Sequence, residues 1–245
     1  MDYHRIFKKS QGRYRQFKPL FLLLALAAFT ASARTVWPQE PIPTPPATTS
    51  NDSAQRPTST PYTGDLSIFD TPDRDKKLQI ERVMDILNIH PGAHVADIGA
   101  GSGWFTVRAA KRVGDQGTVY AVDINPEAIK YIDDRVHKND IHNVRTVLSS
   151  PDDPKLPSNA VDSVLILKTY HEIADPIQLL KNLRKALRSR ARVGIIDRNG
   201  NGEDHGIGKD VVEHEAARAG YRISGDYDFV KADREDYFLV LEAKQ

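Results

Sequence analysis

Residues 94–107 read HVADIGAGSGWFTV: a short apolar run, glycines at 99, 101 and 103, then apolar residues resuming at helical spacing. A run of this length ending in a glycine turn is a strand, and the pattern that follows it is a helix. Glycine at alternate positions gives the turn access to positive φ and lets its backbone approach a neighbour that any Cβ would block. A strand entering a helix through such a turn is half of a βαβ unit. It commits the chain to a parallel sheet with helices packed on it, provided that more strands follow.

They do follow. Residues 76–88 predict a helix with Leu78, Val83, Ile86 and Leu87 on one face, ahead of a strand over 93–98. Helical spacing over Phe105 to Val113 gives way to a strand over Thr118 to Val122. Asn125-Pro126-Glu127 supplies an N-cap, a first-turn proline and a first-turn acid for a helix burying Ile129, Ile132 and Val136. Strands are expected at Val144 to Leu148 and Val161 to Leu167, and Asp175-Pro176 caps a helix with Leu179, Leu180, Leu183 and Leu187 facing in. The basic stretch Leu187 to Arg192 reads as a solvated loop, Val193 to Ile196 as a fifth strand, and Lys209 to Ala219 as a helix ended by Gly220. Residues 222–230 and 236–243 then form two strands with no helix between them. The expected fold is α/β: a doubly wound, seven-stranded, mostly parallel sheet with one antiparallel edge strand. No internal repeat interrupts it.

The first 63 residues have a different character. Residues 1–33 carry six Lys/Arg against a single acid, with an apolar stretch ending in Ala31-Ser32-Ala33. That run is shorter than the roughly 18–20 residues needed to span a bilayer. A basic lead, an apolar stretch and a small-residue end predict a secretory signal peptide or N-terminal anchor. The rest of the chain is then exported, periplasmic or held at the membrane facing away from the cytoplasm. Residues 34–63, rich in Pro, Thr and Ser, read as a disordered linker. The folded domain is expected over 64–245.

Net charge is +1, which gives no electrostatic case for a nucleic-acid partner. The chain has no cysteine, excluding disulfides, thiolate metal sites and a thiol nucleophile. His171, His205 and His214 match no known ligand spacing, so no metal is expected.

In an open parallel sheet the ligand lies beyond the carboxyl ends of the strands, where the first glycine turn sits. The dinucleotide fingerprint G-x-G-x-x-G needs a glycine at the position held here by Trp104. Asp97, two residues before the first glycine, would also repel a pyrophosphate. It suits a ligand carrying an ammonium group, as S-adenosylmethionine does. Asp123 ends the second strand 20 residues beyond Gly103, where an acid can bond both ribose hydroxyls.

With these residues the chain resembles the class I S-adenosylmethionine-dependent methyltransferases, over about Lys76 to Glu242. VADIGAGSG is similar to that family's first motif and AVDINPEAI to its second. The resemblance implies a Rossmann-like fold and S-adenosylmethionine as cofactor. It implies that Asp97, Gly99, Gly101 and Gly103 wrap the methionine portion, and that Asp123 and the adjoining Ile124 hold the ribose side. A segment like Ser150 to Pro157 in quinone C-methyltransferases places an Asp against the adenine, implying that role for Asp152. The stretch VDSVLILKTYHEIADP is similar to the family's fourth strand and acceptor-facing turn, and also to that of exported bacterial methyltransferases. It implies that Tyr170, His171 and Glu172 begin beside the transferred methyl.

A general base is needed only for an alcohol, phenol or carbon-acid acceptor. His171 is the candidate, with Glu172 as orienter or alternative base and Tyr170 shaping the pocket or hydrogen-bonding the acceptor. Asp197, ending the fifth strand, lies toward the same face, and His205 belongs to a Gly/Asp-rich loop that could form a lid. The function expected is methyl transfer to a small-molecule or lipid-like acceptor, with membrane association through the N-terminus. The alternative is an exported adenosyl-ligand-binding protein of the same fold without turnover. A dinucleotide oxidoreductase is disfavoured by Trp104 and Asp97.

Overall fold

The computed structural model describes residues 56–231 and 235–244; the expected signal segment and the linker as far as residue 55 lie outside the described residues. Seven strands form one sheet: β1 (His94–Ile98), β2 (Thr118–Asp123), β3 (Val144–Leu148), β4 (Val161–Leu167), β5 (Leu187–Arg198), β6 (Tyr221–Tyr227) and β7 (Asp236–Ala243). Their order is β3-β2-β1-β4-β5-β7-β6. The first five run parallel to one another, and β7 pairs antiparallel with both β5 and β6. That end of the sheet is therefore antiparallel, the reversed strand β7 lying one in from edge strand β6. The order reverses between β1 and β4, which opens a crevice beyond their carboxyl ends.

Among the described residues, six α-helices flank the sheet: α1 (Arg74–Leu78), α2 (Ile80–Ile86), α3 (Trp104–Val113), α4 (Pro126–Lys138), α5 (Pro176–Ala186) and α6 (Lys209–Arg218). Leu179, Leu180 and Leu183 of α5 and Val212 and Ala216 of α6 pack with Ala96, Val164 and Ile195 on one face. Val83 and Met84 of α2 and Phe105 and Ala109 of α3 pack with Val95, Val119 and Leu165 on the other. Adjacent strand residues thus serve opposite cores, as the two-residue period requires. The caps act as the sequence predicts: the Asn125 side chain accepts from the Glu127 amide, and that of Asp175 from the Gln178 amide.

Three expectations are corrected. The single helix over 76–88 is broken at Gln79 (φ 48°, ψ 49°) into α1 and α2. Leu78 and Ile80 are both buried, and two residues apart on an unbroken helix they would face nearly opposite ways. Leu187 opens β5 rather than closing α5, and the basic stretch after it joins the sheet. Its start is irregular, with a register shift opposite Val161/Ser163 and Arg190 at φ 64°. The arginines hold this start: Arg188 pairs with Asp162 and Arg192 donates to the Ile86 carbonyl. Third, residues 56–63, assigned to the linker, are built into the fold. The Arg56 guanidinium pairs with Glu215 at 2.8 Å, and Ser59 is buried.

Candidate active site

A cavity of about 860 Å³ lies at the crevice, with walls from the turns after β1, β2, β3, β4 and β5 and from residues 58–63.

On the β1–β2 side the glycine turn is fixed from behind. The amides of Gly99 and Ala100 donate to the Val122 carbonyl. Gly99 has φ 69°, and a Cβ there would stand 2.3 Å from Thr169, so glycine is required twice over. The Gly101 amide donates to one oxygen of Asp123 and the Asn125 amide to the other, both at 2.9 Å. Each oxygen keeps a lone pair for a ligand hydroxyl. Ile124 is exposed and lines the cavity. Gly103 does not line it; at φ 72° it starts α3, with Ile132 3.0 Å from where its Cβ would be.

Asp97 lines the cavity with 2% of its surface exposed and accepts from the Thr106 hydroxyl at 2.6 Å. Burial pushes its carboxyl up to about 7, with Asp123 adding to the rise and Thr106 and Arg74 opposing it. Arg74, unremarked in the sequence, also borders the cavity. It lies over the Trp104 ring at 4.4 Å and donates to the Phe69 carbonyl.

Asp152 is displaced from its expected place. Ser149, Ser150, Pro151 and Pro154 line the cavity, but Asp152 is exposed at the tip of a turn closed by Ser150–Asp153 backbone bonds.

The opposite wall is assembled around a 3₁₀ turn, Tyr170–Glu172, after β4. Its residues divide. Tyr170 is fully buried and does not line the cavity; its hydroxyl donates to Glu215 at 2.9 Å, beside the Glu215–Arg56 pair. His171 is 4% exposed and lines the cavity. Its Nδ1 lies 2.9 and 3.0 Å from the two oxygens of Asp197 on β5. A carboxylate only accepts, so Nδ1 carries the proton, and in the neutral imidazole Nε2 keeps its lone pair. The His171 amide also donates to Asp197, holding ring and backbone to one anchor. Glu172 lines the cavity with Oε1 3.9 Å from His171 Nε2, and burial pushes its carboxyl up to about 7. His205, from the loop after β5, brings its ring edge-on to within 5.8 Å of the His171 ring. His214 is exposed on α6 and is not part of this group.

Residues 56–63 strap this wall. The Ser59 amide donates to the His171 carbonyl, and the Ser59 hydroxyl donates to Gly202 and accepts from the His205 amide. A Pro/Thr/Ser-rich composition gives no signal for such contacts, because they depend on surfaces elsewhere in the chain.

The methyltransferase domain family matches residues 89–219, from the residues before β1 to the end of α6. The chain belongs to that family. A S-adenosylmethionine-dependent methyltransferase from Aquifex aeolicus superposes with a TM-score of 0.66 at 25% identity, covering 73% of this chain and 98% of that one. Its fold is thus the mixed-sheet, Rossmann-like fold of class I methyltransferases. Demethylmenaquinone methyltransferase from Listeria welshimeri is 23% identical over 117 residues, 48% of this chain and 50% of its own. A ubiquinone/menaquinone biosynthesis C-methyltransferase from Vibrio campbellii is 27% identical over 115 residues, 46% of this chain and 44% of its own. The match therefore spans about half the length of these curated relatives. The glycine turn and Asp123 lie within the matched methyltransferase domain.

Proposed function

We propose that this chain transfers the methyl group of S-adenosylmethionine to a small-molecule or lipid-like acceptor whose reacting atom must lose a proton. The names of its curated relatives favour a quinol-like aromatic. The observation that carries the reading is that one cavity holds both an Asp123-pinned glycine turn and an Asp197-anchored imidazole with a free Nε2.

The residues fit the cofactor: a backbone cradle with no Cβ atoms, a buried carboxylate for an ammonium group, and a second carboxylate with free lone pairs for ribose hydroxyls. When bound, S-adenosylmethionine supplies an electrophilic methyl on a sulfonium. Asp97, Gly99 and Gly101 would hold the methionine portion, and Asp123 with Ile124 the ribose side. His171 Nε2 takes the proton of the acceptor, while Asp197 fixes its tautomer and stabilises the imidazolium that forms. Leu66, Phe69, Phe105, Ile173 and Leu179 make the walls apolar, which excludes water and suits an aromatic or lipid-like body. The basic lead and apolar stretch of residues 1–33 support an exported or membrane-held location near such acceptors.

The test is transfer of labelled methyl from S-adenosylmethionine to a panel of quinols and phenols by the full chain. Label in the acceptor with one equivalent of S-adenosylhomocysteine is expected. Cofactor binding without transfer to any acceptor would leave an adenosyl-binding protein and sink the enzymatic reading.

A further inference from the structure

We propose that His171 Nε2, the Glu172 carboxylate and the His205 imidazole form a binding site for a divalent transition-metal ion, and that its occupation blocks proton removal at His171. The second clause rests on the function proposed above; the site itself does not.

Two imidazoles and one carboxylate present donor atoms within 4.8 Å of one another. Bonds of about 2.0–2.1 Å to a zinc-like ion set neighbouring donors roughly 3.3 Å apart in a tetrahedron. The 3.9 Å between His171 Nε2 and Glu172 Oε1 is already near that value. His205 is the exposed member of the three, so the remaining closure falls on its side chain.

Two features outside the donor set fit a metal site. Asp197, with none of its surface exposed, accepts the hydrogen bond from His171 Nδ1–H, which aims Nε2 at the other donors. Metal-bound histidines are regularly backed by a carboxylate in this way, and the backing raises the basicity of the ligating nitrogen. Ser59, 4% exposed, bonds the backbone of both histidines: its amide to the His171 carbonyl, its hydroxyl to the His205 amide. A single strap residue thus joins the turn after β4 to the loop after β5 at the points where they bear the ligands.

The donor types favour zinc, cobalt, nickel or ferrous iron over magnesium or calcium, which prefer all-oxygen sets. Three protein donors leave a coordination position for water. The Nε2 lone pair can hold a metal or accept a proton, never both at once. Occupation therefore competes with its use as a base.

The untagged full-length chain, stripped with chelator, would be titrated with Co²⁺ by visible absorption and with Zn²⁺ and Mg²⁺ by calorimetry. One Co²⁺ and one Zn²⁺ per chain, with no Mg²⁺ binding, are expected. His205→Ala should weaken Zn²⁺ about tenfold or more, and Ser59→Ala by a smaller factor. Absence of Co²⁺ and Zn²⁺ binding, or binding unchanged by His205→Ala, would overturn the site. These readouts need no turnover, so the site can stand or fall apart from methyl transfer. In the methyl-transfer assay Zn²⁺ should inhibit the parent chain, and His205→Ala should be relieved of that inhibition relative to its own metal-free rate. Stimulation by Zn²⁺ would overturn the blocking role.

Discussion

On the cofactor side of the cavity, Asp97, the glycines and Asp123 fall within 27 consecutive residues of two strands and the helix between them. On the side proposed for the acceptor, Ser59, His171, Asp197 and His205 come from four segments spread over 147 residues. The first wall works through backbone: amides, missing Cβ atoms and one carboxylate pinned by two N–H groups. The second works through side chains, each oriented by a partner distant in sequence. A wall of backbone recognises an invariant ligand, whereas a wall of side chains on loops can be rebuilt for a different acceptor without disturbing the sheet.

That contrast can be attacked from either side. Replacing His171 with Ala should lower kcat by about 10²–10⁴-fold, the usual worth of a positioned base, with cofactor affinity nearly unchanged. A parallel loss of cofactor affinity would show that the two walls are not separable. Gly99→Ala should do the reverse. Left-handed backbone costs a residue with a Cβ roughly 1–2 kcal/mol, and the contact with Thr169 adds to it, so the S-adenosylmethionine Kd should rise about 100-fold by calorimetry. The strap is next. Arg56→Ala leaves Glu215 buried without its cation, and chemical denaturation should register a loss of about 2 kcal/mol.

The pH dependence separates the walls more finely. Asp97 ionises near 7 in the folded chain and near 3.8 when unfolded. The unfolded chain therefore loses its proton first, and the stability of the ligand-free protein should fall as pH rises from about 4 to about 7. Glu172, also raised to about 7, adds to that fall. An ammonium ligand favours the ionised form of Asp97, so S-adenosylmethionine should bind about tenfold more tightly at pH 6 than at pH 5, below the range where its own amino group loses its proton. Calorimetry of Asp97→Asn should find weak binding with a flat profile; a retained slope would assign the titration elsewhere. The smallest effect is expected at Asp152, where Ala should change Kd by less than about twofold, within the range of neutral surface substitutions.

The same contrast explains what could be read in advance. Periodicity located all seven strands: β1, β2, β4 and β7 are buried on both faces and apolar almost throughout, while caps and glycines bound the more exposed β3 and β6. The glycine turn was legible since its chemistry is local. Three details of the fold were not: the break at Gln79, the early start of β5 and the strap. In each, a tertiary demand overrides local pattern, such as the joint burial of Leu78 and Ile80. At the site, the residue types of the turn Tyr170-His171-Glu172 were visible, but their division was not. Which of three adjacent side chains enters a cavity depends on Glu215, Asp197 and Arg56, none of which is nearby in sequence. Asp152 was placed by resemblance alone, and in the structure it is exposed at the tip of its turn, outside the cavity lining.

The most direct test of the central claim uses Trp104, which lines the cavity between the guanidinium groups of Arg74 and Arg108 at 4.4 and 4.0 Å. In the full chain carrying Trp37→Phe it is the only tryptophan. Its fluorescence would be followed during titration with S-adenosylmethionine, S-adenosylhomocysteine and NAD, with calorimetry alongside. Saturable change at one equivalent with both adenosyl ligands, and none with NAD, is the predicted result. Binding of NAD, or no response and no heat from either adenosyl ligand, would contradict the assignment of the glycine turn to S-adenosylmethionine and the function built on it.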